Sequence, residues 1–280
     1  MAHDRIHNER LRTSLQTGLL VLLLAGLAVA AAWGVLGAWS LLAGGVLLAF
    51  VPLSMRRTSL PRRIAGARML TPENAPHLAQ MVDLLSDRAG LKRPPRLYLV
   101  SSPLPNAATI GSREDAAIML SRDLLDGLDA RELAGVLAHE IGHIRNNDLG
   151  LFRLTEVLRQ TSVFASQFGW LMVLFALPLA VLGVGGIAPL TILILLAAPL
   201  GASLLQLAVS RSREFAADLA AVQLTGDPSA LASALRKIEG TNRWLLRSIL
   251  PFPQPESSGL LRTHPDTGER VRRLRELAYA

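Results

Sequence analysis

Four stretches of this sequence, roughly 14–33, 36–55, 163–182 and 187–209, each run about 20 positions without a charged residue. A helix of that length crosses the hydrocarbon core of a bilayer. The core helix of a soluble domain rarely stays uncharged so long. A cleavable leader is shorter and is not followed at once by a second such run. The chain is therefore expected to be a mainly α integral membrane protein with four transmembrane helices in two hairpins. Only Gly34 and Val35 separate the first pair, and Gly183 to Gly186 the second; neither turn carries a charge. The opposite ends are basic. Arg5, Arg10 and Arg12 precede the first span, and Arg56, Arg57, Arg62, Arg63 and Arg68 follow the second. Arg153 and Arg159 precede the third, and Arg211 and Arg213 follow the fourth. Positive residues favour the cytoplasmic side, so both termini and all the long polar sequence are expected there.

This yields four segments: a membrane hairpin at 14–55, a polar block at 56–162, a second hairpin at 163–209 and a polar block at 210–280. The polar blocks lie on one side and can form one α+β domain with a small sheet. Arg96 to Val100 reads as a strand and Ala116 to Leu120 as a second. Ser101 to Asp115, rich in Pro, Ser, Asn and Gly, reads as the loop between them. Helical patterns cover Ala75 to Ala89, Asp129 to about Arg159, Ser210 to Leu224, and Ser229 to Glu239. Gly226, Asp227 and Pro228 supply a helix stop and turn.

The net charge of +7 raises the question of nucleic acid. The basic residues cluster beside the apolar runs, without aromatic interleaving, so the expected partner is the lipid bilayer and not a nucleic acid. The chain has no cysteine. That excludes disulfides, thiolate metal sites and a cysteine nucleophile; any metal site must use His, Asp and Glu.

Such residues stand at His139-Glu140-Ile141-Gly142-His143. Asp129 is a good N-cap for the helix that carries them, and Glu132 sits where a capping box needs it. Leu133, Val136, Leu137, Ile141 and Ile144 form an apolar stripe at helical spacing. His139 and His143 lie one turn apart on one face, so both imidazoles can reach one metal ion. Glu140 points about 100° away. From there it reaches a water on the metal without being a ligand, as a metalloprotease requires. The chance expectation of the pattern, given this composition, is about 0.005.

A catalytic zinc has three protein ligands and an open position. Glu214 and Asp218 are i and i+4 just after the fourth span. Glu214 is assigned as the third ligand, and Asp218 as the carboxylate that orients a ligand histidine. The competing reading pairs both carboxylates with Arg211 or Arg213.

Together, His139 to His143, Asn146 and Asp148, the segment Ser210 to Asp218, and Thr263-His264-Pro265 resemble the HtpX-type membrane metalloproteases, bacterial relatives of the CAAX prenyl proteases. Asn106-Ala107 is similar to a short segment that this family carries ahead of its catalytic helix. Two positions depart from the family pattern: Ala108 replaces a common aromatic, and Asp266 follows His264-Pro265 in place of a second proline. The resemblance implies a zinc endopeptidase with one Zn2+ per subunit, embedded in the bacterial inner membrane with a zincin-like domain facing the cytoplasm. It also implies protein or peptide substrates, membrane proteins above all, and a role in quality control under stress. His139, His143 and Glu214 would hold the zinc, and Glu140 would act as general base. His264 or Arg270 is the expected donor to the oxyanion. The strand Ala116 to Leu120 is the expected dock for an extended substrate, with Asn106 bonding its backbone. Two alternatives stay open: processing of specific, for example lipidated, peptides, and a non-catalytic scaffold with a structural metal.

Overall fold

The computed structural model describes residues 15–23, 25–26, 67–102, 104–183, 189–249 and 267–278. The expected second span, 36–55, and His264 lie outside them. The chain forms two compact units. Among the described residues, the first contains those of 67–150 and 211–278, and the second those of 15–26 and 151–210.

In the first unit the elements are β1 (Ala67–Leu70), α1 (Pro76–Ala89), β2 (Arg96–Val100), β3 (Ala107–Gly111), β4 (Ala116–Ser121), α2 (Arg122–Gly127) and α3 (Ala130–Arg145). After these come α4 (Asp148–Val181), α5 (Pro189–Thr225), α6 (Pro228–Ile249) and α7 (Thr267–Ala278). The boundary between units falls within α4 and again within α5. Ahead of them all, residues 15–23 are helical. One helix among the described residues, Ile192–Thr225, is long and apolar enough to cross a membrane, with a mean hydropathy of 2.3. The expected third span lies along α4.

The four strands form one mixed sheet in the order β1-β2-β4-β3. β4 runs parallel to β2 and antiparallel to β3, so it is interior. This corrects the expectation that Ala116 to Leu120 offers an edge to substrate; the edge strand beside it is β3. The expected loop Ser101 to Asp115 contains that strand. Its sequence, Ala-Ala-Thr-Ile-Gly, mixes the strand-favouring Thr109 and Ile110 with alanines and a glycine that do not favour a strand, and pairing along β4 decides its conformation. The β3–β4 turn closes at Gly111, whose φ of +103 suits glycine and where a Cβ would stand 2.1 Å from the Asp115 carbonyl oxygen.

α3 begins as its sequence demands. The Asp129 carboxylate accepts from the amides of Arg131 and Glu132, and the Glu132 side chain accepts from the Asp129 amide. The stripe Leu133, Val136, Leu137, Ile141 and Ile144 is buried in the main core with Leu120, Leu124, Leu224 and Leu231. Gly142 lets α5 come close, since a Cβ there would meet the Ala220 Cβ at 3.0 Å and the Ala217 carbonyl oxygen at 3.2 Å.

The helix expected to continue to about Arg159 instead breaks after Arg145. Asn147 has φ 58, in the left-handed region that asparagine tolerates better than most residues. α4 then restarts at Asp148, which the break brings against His143.

Glu132 does more than cap. Its carboxylate also takes hydrogen bonds from Ser233 at 2.7 Å and Lys237 at 2.7 Å on α6. Burial pushes its pKa up, but Lys237, the Asp129 amide and Ser233 outweigh burial and lower it below 4.5. A carboxyl whose folded pKa is depressed contributes stability above its unfolded pKa and loses it as pH falls through the folded value. Glu132→Ala is expected to cost about 1–2 kcal/mol at neutral pH, mostly from the cap and the buried bonds because Lys237 is half exposed. The stability gap to wild type in chemical unfolding should narrow as the pH falls below 4.5 and through the folded pKa.

Candidate metal centre

His139 and His143 stand one turn apart on α3, and Glu214 approaches them from α5. One ligand atom from each, all three residues buried, lies within 4.8 Å of the others, a set that can hold a metal ion. The Glu214 carboxylate oxygens are 3.5 Å from His139 Nε2 and 3.8 Å from His143 Nε2. The imidazole rings meet edge to face, at 86°.

The other nitrogen of each ring is held by a carboxylate. Asp218, one turn beyond Glu214, has Oδ1 at 3.0 Å from His139 Nδ1. Asp148 Oδ2 is 2.7 Å from His143 Nδ1. Such bonds fix which nitrogen faces the metal and how the ring is turned. They leave both Nε2 atoms pointing at the Glu214 side of the site.

Two arginines brace these carboxylates. Arg213 binds Asp148 Oδ1. Arg270 on α7 donates from Nε to Asp218 Oδ2 at 2.8 Å and from Nη2 to Asp218 Oδ1 at 2.6 Å, and its Nη1 lies 3.0 Å from Glu214 Oε2. α7 is also tied down by Arg273, whose guanidinium sits 3.9 Å over the Phe215 ring. The expected competition between metal and arginine therefore resolves differently from either simple reading. Glu214 and Asp218 do pair with an arginine, but it is Arg270, 52 positions beyond Asp218. Arg213 serves Asp148.

The electrostatics fit a dication. Glu140, Asp148, Glu214 and Asp218 place four carboxylates around the two histidines, against the guanidiniums of Arg213 and Arg270. With the carboxylates ionised and the imidazoles neutral, the sum is −2, which one divalent ion offsets. Burial opposes charge on His139, yet Asp218 and Glu214 prevail and lift its pKa from 6.5 to about 10. Burial likewise pushes the Asp218 carboxyl up, but Arg270 and His139 hold it below its usual value. Two imidazole nitrogens and a carboxylate form the His2Glu donor set of a catalytic zinc.

Glu140, also buried, receives a hydrogen bond at Oε2 from the Thr109 hydroxyl at 2.5 Å. Asn106 is exposed at the start of β3, and its backbone pairs with Ser121 on β4. Arg270 faces carboxylates rather than open space, the arrangement of a residue that positions others. Sequence reasoning gave no role to Asp148 or Thr109. Asp148 sits at i+5 from His143, off any helical period, and meets it where the helix breaks at Asn146 and Asn147. Thr109 lies in a segment read as loop. The one available sign was that Asp148 belongs to the pattern that carries the resemblance.

A family model described as peptidase family M48 matches residues 72–278. The chain is 39% identical over 231 aligned residues to a protein described as Protease HtpX homolog from Acidiphilium cryptum, covering 76% of this chain and 78% of that one. A protein of the same description from Pyrococcus furiosus is 35% identical over 282 residues, covering 94% and 95% of the two chains. One from Paenarthrobacter aurescens is 36% identical over 297 residues and covers 97% of each. Among solved structures, the crystal structure of S. mikatae Ste24p is similar in fold, with a TM-score of 0.55 at 18% identity. That match covers 96% of this chain and 66% of that one.

Proposed function

The chain belongs to peptidase family M48 and is a metallopeptidase of the HtpX type, and from that premise we propose that it is a zinc-dependent endopeptidase of the bacterial inner membrane. It cleaves misfolded or damaged membrane proteins on the cytoplasmic side. One observation carries the chemistry: two imidazole nitrogens and a carboxylate oxygen converge within 4.8 Å in a buried, carboxylate-rich site with Glu140 beside them.

In this reading His139, His143 and Glu214 hold one zinc. When bound, the ion supplies Lewis acidity, drawing the pKa of water from 15.7 towards about 7 and polarising a carbonyl. Glu140 takes the proton of the attacking water and returns it to the amine that leaves. Asp218 and Asp148 keep the imidazoles turned. Arg270 positions Asp218 and Glu214 rather than meeting the oxyanion, because three of its nitrogens are directed at their carboxylates. An extended substrate adds to the rim of β3, where Asn106 stands exposed at the entry.

The membrane reading draws support from the long helices. Leu193, Leu196, Leu200 and Leu204 on α5, and Phe164 and Leu174 on α4, are exposed although apolar. Exposed apolar side chains in that number suit lipid better than water. With the two basic-flanked hairpins, they support four spans and a cytoplasmic catalytic domain.

Purified in detergent, the full-length protein should cleave an unfolded membrane protein, lose that activity to a chelator and regain it with zinc. Glu214→Ala is expected to weaken zinc binding by far more than the 10–100-fold typical of losing a residue behind a ligand, which is the expectation for Asp218→Ala. Zinc titration monitored by elemental analysis checks the order. The reverse order would exchange the two roles, and proteolysis indifferent to zinc would sink the reading.

A further inference from the structure

The hydrogen bond between Thr109 and Glu140 joins two parts of the site that the mechanism above treats separately. Along β3, Ser121 N donates to the Asn106 carbonyl at 2.9 Å, and Ser112 N donates to the Asp115 carbonyl at 3.0 Å. In an antiparallel ladder, residues bonded to the partner strand alternate with residues whose backbone groups point away. The two fixed ends therefore set the parity. Asn106, Ala108, Ile110 and Ser112 turn their backbone groups to β4, while Ala107, Thr109 and Gly111 turn theirs to the outer rim. β3 is an edge strand, so that rim is where an added strand would pair.

Side chains alternate as well. Ala107 packs against the main core, whereas Ile110 packs with Tyr98 and Ala117 on the other face. Thr109 shares the Ala107 face, which α3 covers. Thr109 is thus the residue of β3 that directs its backbone to the rim and its hydroxyl into the site. The hydroxyl reaches Glu140 Oε2 at 2.5 Å. A donor bonded to a carboxylate oxygen is a charge-assisted bond with a preferred geometry. It stops the carboxylate turning and leaves Oε1 to meet the water.

We propose that Thr109 is a positioning residue for the reaction, its hydroxyl holding the Glu140 carboxylate in its working orientation while its backbone forms part of the rim on which substrate docks. The proposal rests on Glu140 being the general base. Strand addition by the substrate then orders the element that orients the base, so the base is best held when a peptide is in place.

The test replaces Thr109 in the full-length protein and follows zinc content, kcat and KM with a quenched fluorogenic peptide in detergent. Thr109→Val keeps the shape and the β preference but removes the donor. It is expected to leave zinc content and KM unchanged and to lower kcat about 10- to 100-fold, the scale on which a displaced catalytic group acts. Thr109→Ser, which restores a hydroxyl, should return kcat to within about twofold of wild type. In a Glu140→Gln background the valine substitution should have no further effect. Unchanged kcat in Thr109→Val overturns the proposal. A rise in KM alone overturns it in favour of a hydroxyl that binds substrate, and a loss of zinc or of thermal stability overturns it in favour of a structural role. The underlying reading is tested separately. Full turnover by Glu140→Gln removes the base itself, whereas an inactive Glu140→Gln beside a fully active Thr109→Val removes only the coupling.

Discussion

Glu140→Gln is expected to keep one zinc per chain and to lower turnover by about 100- to 10,000-fold, the range a general base contributes. Glutamine retains the volume of the buried side chain, and its amide oxygen can still accept the Thr109 hydroxyl, so the local packing survives. What disappears is the ability to take a proton from water and deliver it to the amine. The two histidines, Glu214 and the carboxylates behind them are untouched, so zinc content should not change. Elemental analysis and proteolysis on the same preparation separate the outcomes. Retained zinc with lost turnover supports the assignment. Retained turnover would falsify it, and joint loss would mean that Glu140 helps to bind the metal.

The second large effect is expected at Asp148, which is fully buried and serves two partners. One oxygen holds His143 Nδ1 at 2.7 Å, and the other accepts from buried Arg213. Asp148→Ala leaves the Arg213 guanidinium without its counter-ion in a site screened from water. Breaking a buried pair from one side costs about 3–5 kcal/mol. The same change frees the His143 ring to turn, which should weaken zinc binding about 10- to 100-fold. The two effects can be pulled apart. Asp148→Ala combined with Arg213→Met removes the stranded charge and should recover most of the stability, but not the zinc affinity. Thermal unfolding in detergent, with and without zinc, reads both. Recovery of zinc affinity in the double variant would show that the histidine does not depend on Asp148.

These two residues differ in how visible they were beforehand. Glu140 is legible because helical geometry is local. Once Asp129 and Glu132 cap α3, the spacing of His139, Glu140 and His143 decides which side chains share a face. The apolar stripe from Leu133 to Ile144 is legible for the same reason, and its burial follows. Glu214 and Asp218 could be picked out as a second i, i+4 pair of suitable chemistry. Neither helix sequence says what distance separates it from the other.

Asp148 was not legible as a histidine's partner, because helical continuation from α3 would carry it away from His143. A break with Asn147 in the left-handed region places it against His143, and no pattern of spacing announces that break. The same holds for β3. Its alanines and glycine have no strong preference for a strand, so Ala107 to Gly111 reads as loop until β4 supplies the pairing, and the edge passes from Ala116–Leu120 to β3. Arg270 was picked out as a donor, but what it would face was not readable. Its two carboxylates lie more than fifty positions upstream.

By itself, then, the sequence determined whatever depends on neighbours along the chain: the capped helix, the two histidines on one face with the glutamate beside them, the long uncharged runs, and the absence of thiol chemistry. The tertiary structure alone decided which distant groups stand close together: Glu214 against the histidines, Asp148 and Asp218 behind them, Arg213 and Arg270 behind those, and Thr109 on Glu140. The physical reason is the range of the two kinds of constraint. Backbone geometry repeats over a few residues and can be read from spacing. Desolvated charges choose partners by distance in space, which is fixed only when the core of α3, α5, α6 and the sheet has packed.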